Sequence, residues 1–337
     1  MCDCGKEKKL MQNTKYGVSA GTEVRPARRK INKRRGFIWE VKKNWILFLM
    51  LVPAMLFFLF NNYLPLVGLW YAFTNFDYAG GLFGSAYIGF KNFDFLVGSG
   101  KLIKLTFNTV AYNLVFIFLG HALQIAFAVM ISQVAGKHLK KLAQSIMFLP
   151  YFVSFVVLNA VVYAVFNYDV GFLNNIREAL NMEPFDAYNT PFIWPFVLVA
   201  LNIWKGLGYG MVVYLASITG ISNDFYEAAR IDGADIFQQI RYITVPLLMP
   251  TCVMLIMFSL GGIIHGQFSL FYQVIGNNGV LFGVTDIIDT YVYRSLTQTY
   301  DVGLGTAASL YQSVVGFVII MTVNTIVRKA QPDYSLF

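Results

Sequence analysis

One stretch of the sequence combines aromatic, amide and glycine residues at close spacing. It reads Asn-Ile-Trp-Lys-Gly-Leu-Gly-Tyr from Asn202 to Tyr209, inside a long apolar run. Aromatic rings stack on the apolar C–H faces of ligands such as sugars, and an asparagine amide pairs with hydroxyl groups. Asn202, Trp204, Gly206 and Tyr209 therefore predict a binding site, although packing of the aromatic residues stays open as an alternative. Three glycines would allow the backbone to approach a neighbour closely or to unwind: Gly206, Gly208 and Gly210.

Polar residues in the next apolar run could face the same site. Ser259, His265 and Gln267 interrupt an otherwise apolar sequence, and their side chains could meet the polar groups of the same ligand. For His265, a hydrogen bond to a neighbouring helix stays open as an alternative. We expect no metal at His265, because no cluster of further ligands accompanies it.

Residues 222–246 have the pattern of a docking segment. Two apolar helical faces flank Gly233, formed by Phe225, Ala228 and Ala229 on one side and by Ile236, Ile240 and Ile243 on the other. A left-handed residue or a bend is easiest at a glycine. We therefore predict a short helix, a turn at Gly233 and a second amphipathic helix. Pro246 and Pro250 are expected to mark the point where the chain returns to an apolar run.

The motifs that the sequence lacks exclude other kinds of chemistry. No G-x-x-x-x-G-K-[ST] phosphate-binding loop occurs in the chain, so we expect no ATP hydrolysis, no enzymatic activity and no cofactor on this polypeptide. Cys2 and Cys4 lack the further ligands that a zinc site requires, and Cys252 lies in an apolar run. We predict reduced thiols and no metal.

The composition indicates that the elements carrying these residues lie in a membrane. Of the 337 residues, 57% are hydrophobic and 13% are charged, and the mean hydropathy is +0.56. A soluble domain has about 25% charged residues. The sequence therefore predicts a polytopic membrane protein and excludes a soluble domain, a disordered chain and a disulfide scaffold.

Positive charge is concentrated in an N-terminal tail. Residues 1–44 contain 13 Lys and Arg against 4 Asp and Glu, a net charge of +9, whereas the remaining 293 residues have a net charge of −1. Basic residues directly before a first span favour a cytoplasmic N-terminus. The tail has few aromatic residues interleaved with its basic ones, so we expect no nucleic acid as a partner. We assign residues 1–44 to this tail and residues 45–337 to a membrane domain.

Six apolar runs are long enough to cross a bilayer as helices. They are Trp45–Phe73, Phe107–Val134, Ala143–Phe166, Phe192–Thr219, Leu247–Ile275 and Gly305–Val327. With the N-terminus inside, the basic connection at residues 137–141 falls in the cytoplasm and two acidic connections fall outside. The predicted fold is all-α, with six transmembrane helices and both termini in the cytoplasm. The first outer loop fits less well, because it contains Lys91, Lys101 and Lys104.

Charges inside the predicted spans are few. The spans contain no Asp or Glu, and their only basic residues are His121, Lys205 and His265. Ion-coupled carriers usually place acidic or histidine relays in the membrane, so this pattern counts against an ion-driven mechanism. For Lys205, contact with an acidic sugar, snorkelling and pairing with a partner subunit all stay open.

The connection between the fourth and fifth spans resembles the EAA loop of ABC importer permeases. Eight positions keep the family's register: Glu227, Ala228, Ala229, Asp232, Gly233, Ala234, Ile243 and Pro246. The sequence departs from the usual pattern at Val245, where Leu is common, and at Ser222, where Pro often occurs. The resemblance implies that residues 222–246 form a cytoplasmic coupling helix for an ATPase. Their acidic charge argues against the alternative of a helix that merely lies on an anionic leaflet.

Two further resemblances concern the cargo. The stretch from Asn202 to Tyr209 is similar to the N-x-W-x-G-x-x-Y stretch of maltose-type sugar permeases, which implies that Asn202, Trp204, Gly206 and Tyr209 bind substrate. The residues Asp286-x-x-Asp-Thr-Tyr-x-Tyr-Arg294 and the terminal Tyr-Ser-Leu-Phe337 resemble polysaccharide-type permeases of Gram-positive bacteria. That resemblance implies an oligosaccharide.

These resemblances together imply one permease subunit of a type I ABC importer in a bacterial plasma membrane. The implied partners are a second permease in a heterodimer, an ABC ATPase dimer that binds ATP, an extracellular solute-binding lipoprotein, a sugar substrate and membrane lipid. Two alternatives stay open. One is the same architecture with a non-sugar solute, and the other is an ion-coupled carrier that acts alone.

Overall fold

The structure, a computed structural model, describes residues 37–330, which form two compact units with a boundary after Leu64. In the first unit, α1 is Phe37–Lys43 and α2 is Trp45–Phe58, followed by a π-helical turn at Leu59–Tyr63. Cys2, Cys4, most of the predicted tail and the terminal Tyr-Ser-Leu-Phe337 lie outside the described residues. The division between tail and membrane domain at residue 44 stays a prediction.

The second unit is built almost entirely of helices. They are α3 (Gly81–Gly84), α4 (Lys91–Gly98), α5 (Lys101–Ser132), α6 (Lys137–Phe148), α7 (Phe155–Phe166), α8 (Phe172–Ala179), α9 (Trp194–Thr219), α10 (Asn223–Ile231), α11 (Ile236–Gln239), α12 (Val245–Leu260), α13 (Phe268–Ile275), α14 (Phe282–Thr285), α15 (Ile288–Thr297) and α16 (Val302–Ala330). Short 3₁₀ segments at Leu64–Phe73, Leu149–Phe152 and Pro191–Ile193 and a π-helical turn at Ile240–Thr244 complete them.

Two short strands depart from the predicted all-α fold. Thr74–Asn75 (β1) and Ala86–Tyr87 (β2) pair antiparallel, with Thr74 opposite Tyr87. The pair holds together the segment that precedes α4, and the Asn92 side chain adds hydrogen bonds to the carbonyls of Ala72 (2.9 Å) and Thr74 (3.1 Å). The prediction was right for the helical architecture and missed this small sheet.

The predicted number of spans agrees with the structure. Among the described residues, five helices are long and apolar enough to cross a membrane: Trp45–Phe73, Lys101–Ser132, Pro191–Thr219, Ile236–Leu260 and Val302–Lys329. A sixth span results if the bent pair Lys137–Phe152 and Phe155–Phe166 counts as one. The protein is therefore a helical membrane protein with five or six spans.

The third predicted span is bent and begins earlier than expected. Its two helices meet at 92°, and the bend contains Pro150 in a 3₁₀ segment. Ser154 then starts α7 by accepting a hydrogen bond from the backbone N–H of Val157 at 3.3 Å. The basic connection predicted at residues 137–141 is the first turn of α6, because its polar residues occupy one face of an amphipathic helix.

The fifth predicted span, Leu247–Ile275, was wrong at both ends. The helix already begins at Ile236 and ends at Leu260, and residues 261–267 are not helical before α13 begins. Pro246 and Pro250 therefore lie within the helix. The π-helical turn at Ile240–Thr244 directly precedes Pro246, whose missing N–H and bulky ring disturb the ordinary helical hydrogen bonds.

Helix α5 forms the centre of the second unit and contributes to three buried clusters in succession. Near its start, Leu102 and Leu105 pack with residues of α4, α15 and α16. In its middle, Tyr112 and Phe116 pack with α7, α9 and α13. Near its end, Ala128, Val129 and Ile131 pack with α9 and α12. The 32 residues of α5 extend over about 48 Å at 1.5 Å per residue. The position of a residue along α5 therefore indicates where each site described below lies along the span.

Candidate functional site

Three of the cavities along α5 contain residues that the sequence analysis or the neighbouring motifs single out. The first is lined by Lys101, Lys104 and Asn108, the second by residues between Asn113 and Gln124, and the third by Ser132 and Gln133. We call them the Lys101-end, central and Ser132-end cavities. Because α5 is one continuous helix, the Lys101-end and Ser132-end cavities lie at its opposite ends. The central cavity lies between them.

The central cavity brings together four of the seven residues predicted to bind substrate. Its volume is about 800 Å³, and its wall includes Asn202 from α9, Ser259 from α12, and His265 and Gln267 from the segment after α12. The side chains of His265 and Gln267 are exposed to it. Within the described residues, the His265 side chain makes no hydrogen bond, so the alternative of a histidine satisfied by a neighbouring helix is not supported there.

In this cavity, both ring nitrogens of His121 have hydrogen-bond partners. Its Nδ1 lies 2.9 Å from the Tyr214 hydroxyl and its Nε2 lies 3.1 Å from Ser259 Oγ. Ser259 Oγ donates its single hydrogen to the Leu255 carbonyl at 2.9 Å, so it accepts from Nε2–H of His121. This contact places a proton on Nε2.

Side chains from three helices stabilise the non-helical segment that carries His265. The amide nitrogen of Asn113 donates to the carbonyls of Ile263 (2.9 Å) and His265 (3.0 Å). Gln312 donates to the Ile264 carbonyl at 2.8 Å. The Asp289 carboxylate accepts from the Gly266 N–H at 2.8 Å and from Gln312 at 3.1 Å. Irregular backbone inside a membrane protein needs such partners, because lipid provides none.

The other predicted substrate residues, Trp204, Gly206 and Tyr209, do not line the central cavity. Trp204 is 47% exposed and Tyr209 is 52% exposed. Tyr209 stacks on Tyr151 from the bend before α7, with ring centroids 5.1 Å apart and 16° between planes. The structure thus divides the predicted site into a polar cavity, an exposed aromatic platform, which we define as Tyr151 and Tyr209, and a separately exposed Trp204.

Lys205 stabilises the bend beneath this platform. Its ammonium group donates to the Tyr151 carbonyl at 2.7 Å and also to the Val153 carbonyl. It lies over the Phe155 ring at 4.9 Å from the centroid. The lysine thus pairs with carbonyl groups that the 92° bend leaves without helical partners, and the three roles that the sequence left open for it stay predictions.

The glycines of α9 serve close packing and do not unwind the helix. A Cβ atom at Gly208 would lie 2.1 Å from the Met147 carbonyl oxygen of α6. At Gly206, no atom lies within 4 Å of such a position, and the Gly206 carbonyl accepts a hydrogen bond from Gln124 at 3.3 Å. The helix continues through both residues. Only Gly208 is therefore required for contact between these helices.

Sequence reasoning missed the contribution of α5 to the central cavity. Asn113, Ile117, His121 and Gln124 all line it, at spacings of four, four and three residues. This spacing defines one face of a helix. Asn113, His121 and Gln124 are polar residues at helical spacing in a largely apolar run. This pattern could have predicted from the sequence that α5 lines a polar cavity.

The coupling segment has the predicted helix and turn. Ser222 caps α10, since its hydroxyl accepts from the Asp224 N–H at 3.3 Å, and Gly233 adopts a φ of +81°. Asp235 and Gln238 then form a reciprocal capping box at the start of α11. The expected turn at Gly233 is confirmed. The second helix is not separate, because it continues through the π-helical turn into α12.

The eight residues of the EAA register are mostly accessible. Glu227, Ala228, Asp232, Gly233 and Pro246 are exposed, while Ala229, Ala234 and Ile243 are half-buried. Apolar side chains around them are strongly exposed: Phe225 at 56%, Ile231 at 87%, Ile236 at 57% and Phe237 at 81%. We call these four residues the apolar docking patch. Glu227 and Arg230 lie beside it in the wall of the Ser132-end cavity.

A hydrogen bond connects α10 with the long helix that follows. The Tyr226 hydroxyl lies 3.0 Å from Thr244 Oγ1, and Thr244 is fully buried. Gln239 is also buried and donates to the Ala234 carbonyl at 2.9 Å. A displacement of α10 would therefore be transmitted to the span Ile236–Leu260 through these contacts.

The motif at Asp286–Arg294 forms the wall of the Lys101-end cavity. Arg294 pairs with Asp286 at 2.5 Å and lies over the Phe282 ring at 3.9 Å from the centroid. Asp286 also accepts from the Thr290 hydroxyl at 2.7 Å. Burial raises the pKa of Tyr291, so its hydroxyl stays protonated at neutral pH. Asp286 and Arg294 thus bind each other and fix this wall, whereas Asp289 accepts from Gly266 and Gln312.

Comparison with known proteins places these features in a family. A sequence profile of the family described as "Binding-protein-dependent transport system inner membrane component" matches residues 124–331. Protein LplB of Bacillus subtilis (strain 168) is 29% identical over 300 residues, which cover 88% of this chain and 93% of the relative. The polygalacturonan/rhamnogalacturonan transport system permease protein YteP of the same strain is 27% identical over 304 residues, covering 89% and 93%.

A solved structure has the same fold. One chain of a bacterial alginate ABC transporter, in complex with an alginate pentasaccharide-bound periplasmic protein, superposes with a TM-score of 0.77. The two chains are 30% identical, and the match covers 87% of this chain and 98% of the other.

Proposed function

We propose that this chain, which belongs to the family of binding-protein-dependent transport system inner membrane components, provides the path by which an ABC importer moves an oligosaccharide across the plasma membrane. As a membrane component of a transport system, the chain is a permease and not an enzyme. The observation that carries the choice of an oligosaccharide is the central cavity with the neighbouring aromatic platform.

The central cavity has the size and the chemistry for a carbohydrate. Its volume of about 800 Å³ lies within the roughly 300–1,000 Å³ that is usual for ligand pockets. Asn202, His265 and Gln267 provide polar groups for sugar hydroxyls, and the exposed rings of Trp204 and Tyr209 provide stacking surfaces for C–H faces. Names of relatives support the same class, since YteP is a permease for polygalacturonan and rhamnogalacturonan.

The coupling segment is proposed to dock on an ATPase in the cytoplasm. Helix-in-groove binding requires an accessible amphipathic helix, and α10 with the apolar docking patch provides one. ATP would bind to that partner, and this chain would hold no cofactor. A second permease completes the path in this proposal, and both termini lie in the cytoplasm. An extracellular solute-binding lipoprotein delivers the sugar at the opposite end.

Uptake measurements test the proposed cargo. Deletion of the gene should abolish uptake of a labelled oligosaccharide from a panel of neutral and acidic trimers. Asn202→Leu should raise KM for that sugar about fivefold or more, because a polar contact worth about 1 kcal/mol is lost. Asn189→Leu, at an exposed loop position, is the matched control and should leave KM unchanged. Retention of all oligosaccharide uptake in the deletion strain would overturn the proposal.

The same uptake measurements, extended to an amino acid, phosphate and a peptide, test the alternative of a non-sugar cargo. If the deletion abolishes uptake of an amino acid, phosphate or a peptide and leaves every sugar unaffected, the cargo belongs to another class. Reconstitution of the chain alone in vesicles tests the ion-coupled carrier: solute uptake driven by a proton or sodium gradient, without an ATPase, would contradict the importer mechanism.

A further inference from the structure

The Lys101-end cavity contains two lysines that have no anionic partner among the described residues, and one of them, Lys101, lies over the Tyr291 ring at 5.7 Å from its centroid. Its volume is about 540 Å³, and its charged wall residues are Lys101, Lys104, Arg294, Asp286 and Asp301. Arg294 is paired with Asp286. Asp301 accepts from the Leu304 N–H at 2.9 Å and so caps α16. Among the described residues, neither lysine has an ion pair or a hydrogen bond through its ammonium group.

The cavity leaves a surplus of positive charge where two lysines approach it from one helix. Three cations face two carboxylates, which gives a net charge of +1, and both carboxylates already have partners. Lys101 and Lys104 are three residues apart on α5, so their side chains lie on the same helical face. An anion that enters the cavity would therefore meet two ammonium groups and displace no existing ion pair.

The walls of the cavity also fit a ring-shaped ligand. Phe95 lines it and is 55% exposed, so a ring face is free to pack against C–H groups. Asn108 lines it as well, although its amide nitrogen already donates to the Asp286 carbonyl at 2.9 Å. The volume is above the roughly 300 Å³ at which ligand pockets begin. A single inorganic anion would leave most of this space unfilled.

We propose that the Lys101-end cavity binds a carboxylate-bearing sugar residue of the transported oligosaccharide, with the ammonium groups of Lys101 and Lys104 as its ion partners and Phe95 against its ring. The proposal rests on the proposed function and narrows the cargo to acidic oligosaccharides. The cavity lies at the end of the bundle opposite the coupling segment, so it would bind the sugar before the central cavity does.

Uptake by cells that contain the complete transporter tests the proposal, with chromosomal variants of this chain. The probes are labelled trigalacturonate and its fully methyl-esterified form, which has the same rings without the charge. Wild-type cells should take up the acid with a KM about tenfold below that of the ester, as two partly exposed ion pairs allow. Lys101→Gln combined with Lys104→Gln should remove this preference and leave ester uptake unchanged.

Two further variants serve as controls, one that retains both charges and one that removes a lysine outside the cavity. Lys101→Arg with Lys104→Arg retains both charges and should retain the preference for the acid. Lys91→Gln removes an exposed lysine that does not line the cavity, and it should behave as wild type. Raising the ionic strength should reduce the preference in wild type and in both of these variants, because salt screens exposed ion pairs.

Specific outcomes would overturn the proposal. The proposal is contradicted if wild-type cells do not prefer trigalacturonate to its methyl ester. It is also contradicted if they take up neither probe. An unchanged preference in the double Gln variant would mean that the lysines meet anionic lipid headgroups instead. Equal loss of both probes in that variant would indicate a structural role. In each case, loss of neutral oligosaccharide uptake on deletion of the gene would still support the proposed function.

Discussion

At the scale of single residues, polar side chains in the spans mostly hold irregular backbone in place. Lys205 donates to carbonyls at the bend before α7, and Asn113 donates to carbonyls at the break after α12. A polar group in a span is usually taken as a mark of function. Here Lys205 and Asn113 first satisfy backbone groups, whereas polar side chains in the walls of the central cavity and of the Lys101-end cavity stay available for a ligand.

Replacing Asn113 tests this structural role. Asn113→Leu should lower the free energy of unfolding by about 1–3 kcal/mol, because two buried carbonyls lose their donor. The measurement is the thermal midpoint of the purified protein in detergent, followed by size exclusion. Asn61→Leu is the control, since Asn61 is exposed and its side chain bonds only to the Phe57 carbonyl of its own helix. Equal midpoints for both variants would contradict the assignment.

Two glycines on one helix should respond to alanine with opposite signs. Gly208→Ala places a Cβ atom against the Met147 backbone and should destabilise the protein by about 1–3 kcal/mol through overpacking. Gly206→Ala meets open space and should be neutral or stabilising by up to about 1 kcal/mol, since alanine favours the helix. The thermal midpoints of the two variants provide the comparison. A stable Gly208→Ala protein would show that α6 and α9 do not pack this closely.

At the scale of elements, the coupling segment combines a fixed backbone with an unpartnered surface. Caps at Ser222 and Asp235 define its helices, and the contact between Tyr226 and Thr244 joins it to the following span. Its apolar docking patch has no covering element among the described residues. This combination suits an element that receives force from a partner and passes it to a membrane helix.

Gly233→Val tests the connection between these two helices. A β-branched residue is strained at a φ of +81° by about 1–3 kcal/mol, so the turn should open and oligosaccharide uptake should fall while ATP hydrolysis by the assembled transporter becomes uncoupled from it. Gly98→Val is the control, because a Cβ atom at Gly98 meets nothing within 4 Å and its φ is not positive. Normal uptake together with normal assembly in Gly233→Val would contradict the coupling role.

At the scale of the whole molecule, apolar side chains cover surfaces that water does not reach. Phe107, Met254 and Phe317 are 71%, 62% and 66% exposed in this chain, which is expected where lipid or another subunit is the neighbour. The exposed aromatic platform also fits a chain that forms one part of a larger path. The proposed second permease and the proposed ATPase can therefore be sought by co-purification.

A tagged chain should co-purify with a second permease and an ATPase in mild detergent. Phe237→Ser should remove the ATPase and retain the permease, because Phe237 is 81% exposed and contributes to the apolar docking patch. Phe172→Ser is the control: Phe172 is 63% exposed on α8, at the opposite end of the bundle. Mass spectrometry of the eluted proteins provides the measurement. Retention of the ATPase by Phe237→Ser would place its docking surface elsewhere.

Much of the architecture could be predicted from local pattern alone. Long apolar runs specify helices, because a backbone in lipid must satisfy its hydrogen bonds internally. The spans predicted at Trp45–Phe73 and Phe107–Val134 were recognised for this reason, and the structure has them at Trp45–Phe73 and Lys101–Ser132. The turn at Gly233 was recognised because glycine has the least strain at positive φ.

The sequence by itself thus determined the membrane class, the approximate spans and the helix and turn at residues 222–233, all of which depend on neighbours along the chain. Only the tertiary structure decided where the fifth span breaks, since the break at residues 261–267 depends on Asn113, Asp289 and Gln312 from other helices. It also separated Asn202 from Trp204 and Tyr209. Hydrophobicity fixes which segments are helical, but hydrogen bonds and cavities between distant segments exist only once the helices have packed.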